Sequence, residues 1–402
     1  MDSILGTLHQ VNWAFFLTGM IFALGGGVVI IVAFILCRRA FQYVCTQRFD
    51  ALANKIHEQW REIVRGDVLA ADWVHDSMKC EIVQSIVIQE ISAATDKDRA
   101  GLQEFLRNTG LLDRCVQKVY VGRGWARRRA MLALGAMRVP EAIAPLAEEL
   151  DDWQLDTRMA AVQGLGRTFL PEAAEPMIES FMVGGLKVSA DPLANALVRC
   201  FMDHPAALMP FLRRSNGKSR QLLARVASEL ATSAMADEML ILAADPQPEV
   251  RACAAKALSA APLQLSIPAL ADLARDEVWF VRLRATIALN EIPHPRTIPI
   301  LLDAVRDPNR LVRTRAAAAL AKFQEETVEI LQSIVNSRDR YALHAMISAL
   351  ELGGGFGKVM SELADPLLHD RSAGQLLEAL REGAAGLWSA RPADPVVESV
   401  FP

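Results

Sequence analysis

The chain has 402 residues, 52% of them hydrophobic but only 6% aromatic, and a formal net charge of −4. That length exceeds one compact core and suits several domains or one extended array, while an apolar fraction rich in Ala, Leu and Val favours closely packed helices. The slightly acidic balance excludes bulk electrostatic capture of nucleic acid, and six cysteines without a Cys-x-x-Cys pair exclude a disulfide framework or zinc site and fit reduced thiols.

The first charged-residue gap runs from Ser3 to Cys37, which contains no Asp, Glu, Lys or Arg. Residues 13–36, WAFFLTGMIFALGGGVVIIVAFIL, would span roughly 36 Å as a helix, enough for a hydrocarbon core of about 30 Å. A cleaved signal peptide fits poorly, because no basic residue precedes the run and no Ala-x-Ala site follows it. Arg38, Arg39 and Arg48 flank its far end, so the positive-inside rule places residues 1–12 outside and the remainder in the cytoplasm. Gly19, Ala23 and Gly27 recur every four residues and form a small-residue face for a second membrane helix, from a partner or from another copy of this chain.

Residues 37–120 read as a helical stalk and an N-terminal cap of three helices. From residue 121 a repeat takes over. Residues 245–258, 276–289 and 307–320 read DPQPEVRACAAKAL, DEVWFVRLRATIAL and DPNRLVRTRAAAAL, at a fixed interval of 31. Aligned on the first Asp, Val250, Val281 and Val312 coincide. So do Arg251, Arg282 and Arg313, then Ala254, Ala285 and Ala316, then Leu258, Leu289 and Leu320. Apolar positions at i, i+4, i+7 and i+8 mark one face of a helix. Fainter copies lie at 121–134 with Arg127, at 152–165 with Arg158, at 184–197, at 217–230 without the arginine, and at 337–350 with Leu343 in its place. Between copies lie second helical segments such as 140–150, 262–274 and 295–307. Pro140, Pro171, Pro205, Pro262 and Pro295 stand near the starts of these segments, where a missing N–H costs nothing. Each unit is helix, turn, helix, turn, and such pairs bury their apolar faces only by stacking. Residues 351–388 read as a C-terminal cap and 389–402 as a flexible tail.

The pattern Asp-x-x-x-x-Val-Arg-x-x-Ala-x-x-Ala-Leu resembles the short HEAT-like repeat also seen in phycobilin lyases. The resemblance implies an all-α fold, a HEAT-like α-solenoid of repeats of about 31 residues, here with one N-terminal transmembrane helix. It also implies that Arg158, Arg251, Arg282 and Arg313 pair with acids such as Asp152, Asp245, Asp276 and Asp307 at repeat junctions. The ladder would then be interrupted around 184–230 and after 340. The layout as a whole, including FLRNTGLLDRCVQKVYVGRGWARRRAMLALGAM at 105–137, resembles bacterial membrane HEAT-repeat proteins associated with glycosyltransferases and exopolysaccharide machinery. That implies a single-pass inner-membrane protein whose cytoplasmic solenoid holds a protein partner, by resemblance a membrane glycosyltransferase. The competing readings are a phycobilin-lyase-like enzyme and a HEAT-like nucleic-acid-binding protein.

Candidate contact residues are few. RGWARRR at 123–129 offers Arg123, Trp125, Arg128 and Arg129 to an anionic group, with Arg127 as the repeat arginine. RRSNGKSR at 213–220 reads as a solvated turn. Trp60, Trp73, Trp125, Trp153 and Trp279 are the side chains best able to anchor a partner, and Trp279 with Phe280 falls near the rim of the concave face. No Gly-x-Ser-x-Gly elbow, paired histidines or Cys–His arrangement stands out, so no catalytic residue, cofactor or metal is expected.

Overall fold

A computed structural model of the chain describes residues 77–364 except 185, residues 371–389, and scattered positions between 20 and 58, among them 24–27 and 29–40. Of the expected membrane span 13–36, residues 20, 24–27 and 29–36 are described; the stalk 40–65 lies largely outside the described residues, and 1–12 and 390–402 lie wholly outside them. Residues 24–27 and 29–40 are helical, and their apolar side chains, Ile30 and Phe34 among them, are exposed. Among the described residues no helix is long and apolar enough to cross a membrane, and no strand occurs. The chain falls into two compact units, Met1–Val121 and Gly122–Pro402.

In the first unit α1 (Ser77–Ala93), α2 (Asp96–Asn108) and α3 (Leu111–Val121) follow one another, α2 packing on both neighbours. Ile82, Val83, Val87, Leu106, Leu111 and Val119 are buried there.

The second unit is built from the repeat. Its motif helices are α4 (Gly124–Ala136), α6 (Leu155–Arg167), α8 (Ala190–Phe201), α10 (Gly217–Glu229), α12 (Pro248–Ala257), α14 (Trp279–Asn290), α16 (Arg310–Leu320) and α18 (Arg340–Leu352). Each packs directly on the next, forming one continuous layer. The shorter α5 (Ile143–Ala147), α7 (Ala174–Val183), α9 (Met209–Arg214), α11 (Ala236–Ala243), α13 (Leu263–Leu273), α15 (Ile298–Ala304) and α17 (Thr327–Asn336) alternate with them. Four of these, α5, α7, α9 and α15, are entered through a tight turn opening on Pro140, Pro171, Pro205 and Pro295. Proline's fixed φ suits that first position. After α18 come α19 (Phe356–Leu363) and α20 (Arg371–Ser389), which packs on α17, α18 and α19.

The aligned residues face the core. Val250, Val281, Val312, Ala254, Ala285, Ala316, Leu258, Leu289 and Leu320 are all essentially inaccessible. Small side chains in mid-helix let consecutive motif helices approach closely. The extreme case is α4 against α6. A Cβ added to Gly135 would collide with the carbonyl oxygen of Gly164 and lie 2.6 Å from its carbon. One step on, a Cβ on Gly166 would lie 2.7 Å from Ala196 Cα.

Candidate functional site

The motif arginines form a ladder along the second unit. Arg251 donates from Nε to Asp276 Oδ2 at 2.7 Å and from Nη2 to Oδ1 at 2.9 Å. Arg282 repeats this on Asp307 at 2.6 and 3.0 Å. In each case the acid lies 25 residues ahead, in the next repeat. The remaining Nη1 turns back to its own repeat. It donates to the Asp245 and Pro246 carbonyls from Arg251, and to the Asp276 and Glu277 carbonyls from Arg282. The acid is equally engaged, since Oδ1 of Asp245, Asp276 and Asp307 each accepts the main-chain N–H two residues on. One Asp thus ties its own turn, its own arginine and the preceding repeat together.

The electrostatics follow from this geometry. Hydrogen bonds donated to Asp276 and Asp307 raise the Arg251 and Arg282 guanidinium pKa values. Burial pushes Asp276 upward, but the bonds from Arg251 and the Val278 amide outweigh it and hold the carboxyl below its ordinary value. At the start of the array Arg127 takes two acids, Asp152 at 3.1 Å and the buried Glu149 at 2.5 Å. Burial raises the Glu149 pKa against the pull of Arg127.

Two expected features differ. Residues 217–230 were aligned as a copy without the arginine, yet Arg220 donates from Nε to Asp245 Oδ2 at 2.5 Å. Arg220 stands 31 residues before Arg251, so the copy lies at 214–227, three residues before the expected 217–230. Arg158 does not reach a carboxylate. The residue 25 ahead is Val183, so its guanidinium bonds the main-chain carbonyls of Asp152, Trp153 and Lys187. Arg313 likewise meets no acid, because Ser337 stands at the Asp position of the next copy and accepts the Asp339 N–H there. Arg313 bonds the Asp307 and Pro308 carbonyls and lies over the Tyr341 ring, 5.2 Å from its centroid. In the segment 213–220 Arg213 pairs with Glu238 and Arg214 lies over the Phe211 ring, while Asn216, Gly217 and Lys218 are exposed at the turn.

A second feature lies at the N-terminal ends of the motif helices. Trp125, Leu155, Trp279, Leu311 and Tyr341 occupy first-turn positions of α4, α6, α14, α16 and α18, and all are exposed. Trp153, just before α6, is 85% exposed. Arg129 lies over the Trp125 ring at 5.4 Å, Arg128 approaches Asp156 at 3.6 Å, and Arg123 is exposed at the turn into α4. Trp279 meets the half-buried Phe280 edge-on at 6.0 Å. The first turns of successive motif helices share an edge of the layer, so these side chains form an interrupted apolar row along the second unit. Sequence reasoning singled out Trp125, Trp153, Trp279 and Phe280 but not Leu155, Leu311 or Tyr341.

Gly27 is helical and a Cβ there would meet open space; Gly19 and Ala23 lie outside the described residues, as do Trp60 and Trp73. Among the described residues no group of three His, Cys, Asp or Glu could hold a metal. Burial pushes the Cys115 and Cys200 thiols up to about 12, which removes nucleophilic thiolate at neutral pH. A cleft of about 330 Å³ lies where the ladder ends, lined by Arg338, Asp339, His344 and Glu382.

No curated protein matches the chain. Among solved structures, an engineered protein is 15% identical, covering 79% of this chain and 98% of its own, with a TM-score of 0.34. Escherichia coli YibA is 14% identical over 74% and 96%, with a TM-score of 0.32. The CpcE–CpcF complex of phycocyanin lyase from Nostoc is 20% identical over 54% and 92%, with a TM-score of 0.25. Likenesses this distant assign no activity or partner. The family models are more specific. Residues 126–152 match the PBS lyase HEAT-like repeat, and residues 205–290 and 279–351 match HEAT repeats. The repeating helical pairs of the second unit, over these residues, are HEAT repeats.

Proposed function

We propose that the chain is a membrane-tethered scaffold whose HEAT repeats hold a protein partner at the cytoplasmic face, without chemistry of its own. The observation that carries this reading is the row of exposed aromatic and aliphatic side chains, Trp125, Trp153, Leu155, Trp279, Leu311 and Tyr341, at the ends of otherwise well-buried helices. Large aromatic residues left in solvent on a rigid framework are the usual anchors of protein interfaces. The tether is supported by the uncharged run 13–36 and by exposed apolar side chains on helical residues 29–40. The partner class, a membrane glycosyltransferase or polysaccharide complex, rests on the resemblance of the overall layout. Homo-association through the Gly19, Ala23 and Gly27 face belongs to the same proposal.

Two measurements test it. The protein should resist alkaline extraction from membranes, and deletion of residues 1–37 should release it. A membrane protein should co-purify in fixed ratio and be lost from a W125A/W153A/Y341A variant whose thermal unfolding is unchanged. Release of the intact chain by alkali, or undiminished co-purification with the triple variant, would overturn the reading.

A further inference from the structure

The ladder neutralises one set of arginines and leaves another set exposed. Arg284 and Arg315 occupy the same position in consecutive repeats, 31 residues apart, two residues past the motif arginines Arg282 and Arg313. Both are exposed, and among the described residues neither has a carboxylate within ion-pair distance. They lie on α14 and α16, which pack directly together. Helices in such contact run roughly 8–10 Å apart, which sets the spacing between the two guanidiniums' attachment points.

The surroundings strengthen the positive field. Arg225, Lys256 and Arg284, from α10, α12 and α14, all act electrostatically on the Cys253 thiol, so cations from three successive helices converge on one place. Arg225 and Lys256 also pair with Asp191 and Glu229, leaving the uncompensated charge at Arg284 and Arg315. One turn toward each helix N-terminus, Phe280 and Leu311 lie four residues before Arg284 and Arg315, on the same helical face. Leu311 is exposed and Phe280 half-buried. The face therefore presents an apolar lip above a row of free guanidiniums, repeated with the helical spacing.

We infer that this face of α14 and α16 receives an extended acidic segment of the protein partner, lying across the helices with carboxylates on Arg284 and Arg315 and apolar side chains against Phe280 and Leu311. In the extended polyproline II form, with three residues per turn and about 3.1 Å per residue, acids three positions apart share one face and match the spacing of adjacent helices. Guanidinium is the group best shaped to hold a carboxylate by two parallel hydrogen bonds. The inference rests on the scaffold reading and specifies the partner's chemistry.

The test uses the full chain in detergent and a fluorescent peptide of repeated Glu-Val-Ser, read by anisotropy. Binding should weaken as salt rises, and R284E/R315E should lose affinity by about tenfold or more, the sum of two exposed ion pairs. R296E/R381E, which reverses two exposed arginines elsewhere, should bind like the parent. Equal affinity of both double variants would overturn the inference. So would a single-stranded oligonucleotide or anionic vesicle held as tightly through the same pair, since the face would then be a general polyanion site. Retention of the co-purifying membrane protein by R284E/R315E, alongside peptide failure, would sink this inference and leave the scaffold reading standing.

Discussion

Arg251 grips both carboxylate oxygens of Asp276 across a repeat junction while its third nitrogen holds the carbonyl of Asp245. Their side chains are only 12% and 8% exposed. Removing the acid strands a largely buried cation, which typically costs about 3 kcal/mol or more. D276A should therefore lower the urea midpoint clearly. R251A/D276A should cost less than the sum of the single changes, because no charge is left unpaired. An unchanged midpoint in D276A would mean that stacking of Ala and Leu faces alone holds the repeats.

The same pair makes stability depend on acid. The Asp276 pKa is depressed in the folded state, so the unfolded chain binds the proton first as pH falls. Its stabilisation is complete above the unfolded value of about 4 and is lost as pH drops through the lower folded value. D276N carries no such proton. The stability gap between parent and D276N should be widest near neutrality and should shrink steadily below about pH 4. A gap constant across that range would show that the carboxylate charge is not what Arg251 reads.

Much of the architecture was legible because one physical demand recurs. A helix that must pack on two neighbours needs small residues at fixed offsets, and Val281, Ala285 and Leu289 announce that demand without tertiary information. The ladder was only partly legible. An arginine bonded to an acid 25 residues away leaves no local trace. Arg220, embedded in GKSRQLLARVASEL, lacks the Val-Arg pair that advertises its equivalents. The exposed row was harder still. Leu155, Leu311 and Tyr341 are ordinary apolar residues in sequence, and only the packing shows that the first turn of each motif helix projects beyond the core.

Arg220 gives a direct check on the register. Its Nε bonds Asp245 and its Nη1 bonds the Leu212 carbonyl, the same division of labour as in Arg251. Asp245 is buried and would be left with an unpaired charge in R220A. The expected loss is about 3 kcal/mol, comparable with R251A. R225A, five residues further along the same helix, breaks an exposed pair with Asp191 and should change stability by less than about 1 kcal/mol. Thermal unfolding of both variants decides it, and the reverse ranking would place the ladder residue at 225.

Two glycines separate close approach from mere permissiveness. Gly135 in α4 faces Gly164 in α6 so tightly that a methyl group would overlap the opposing backbone, which cannot move aside as a side chain could. G135A must push the first two motif helices apart, at a cost of about 3 kcal/mol or more. Gly101 in α2 is also helical, but a methyl there meets nothing within 4 Å. Replacing it reduces only the freedom of the unfolded chain, so G101A should stabilise by about 0.5–1 kcal/mol. The pair of substitutions is chemically identical, and opposite shifts of the unfolding midpoint would locate the close contact. If G135A were neutral, α4 and α6 would have to stand farther apart than the Gly135–Gly164 contact allows, and the tight start of the repeat stack would be wrong.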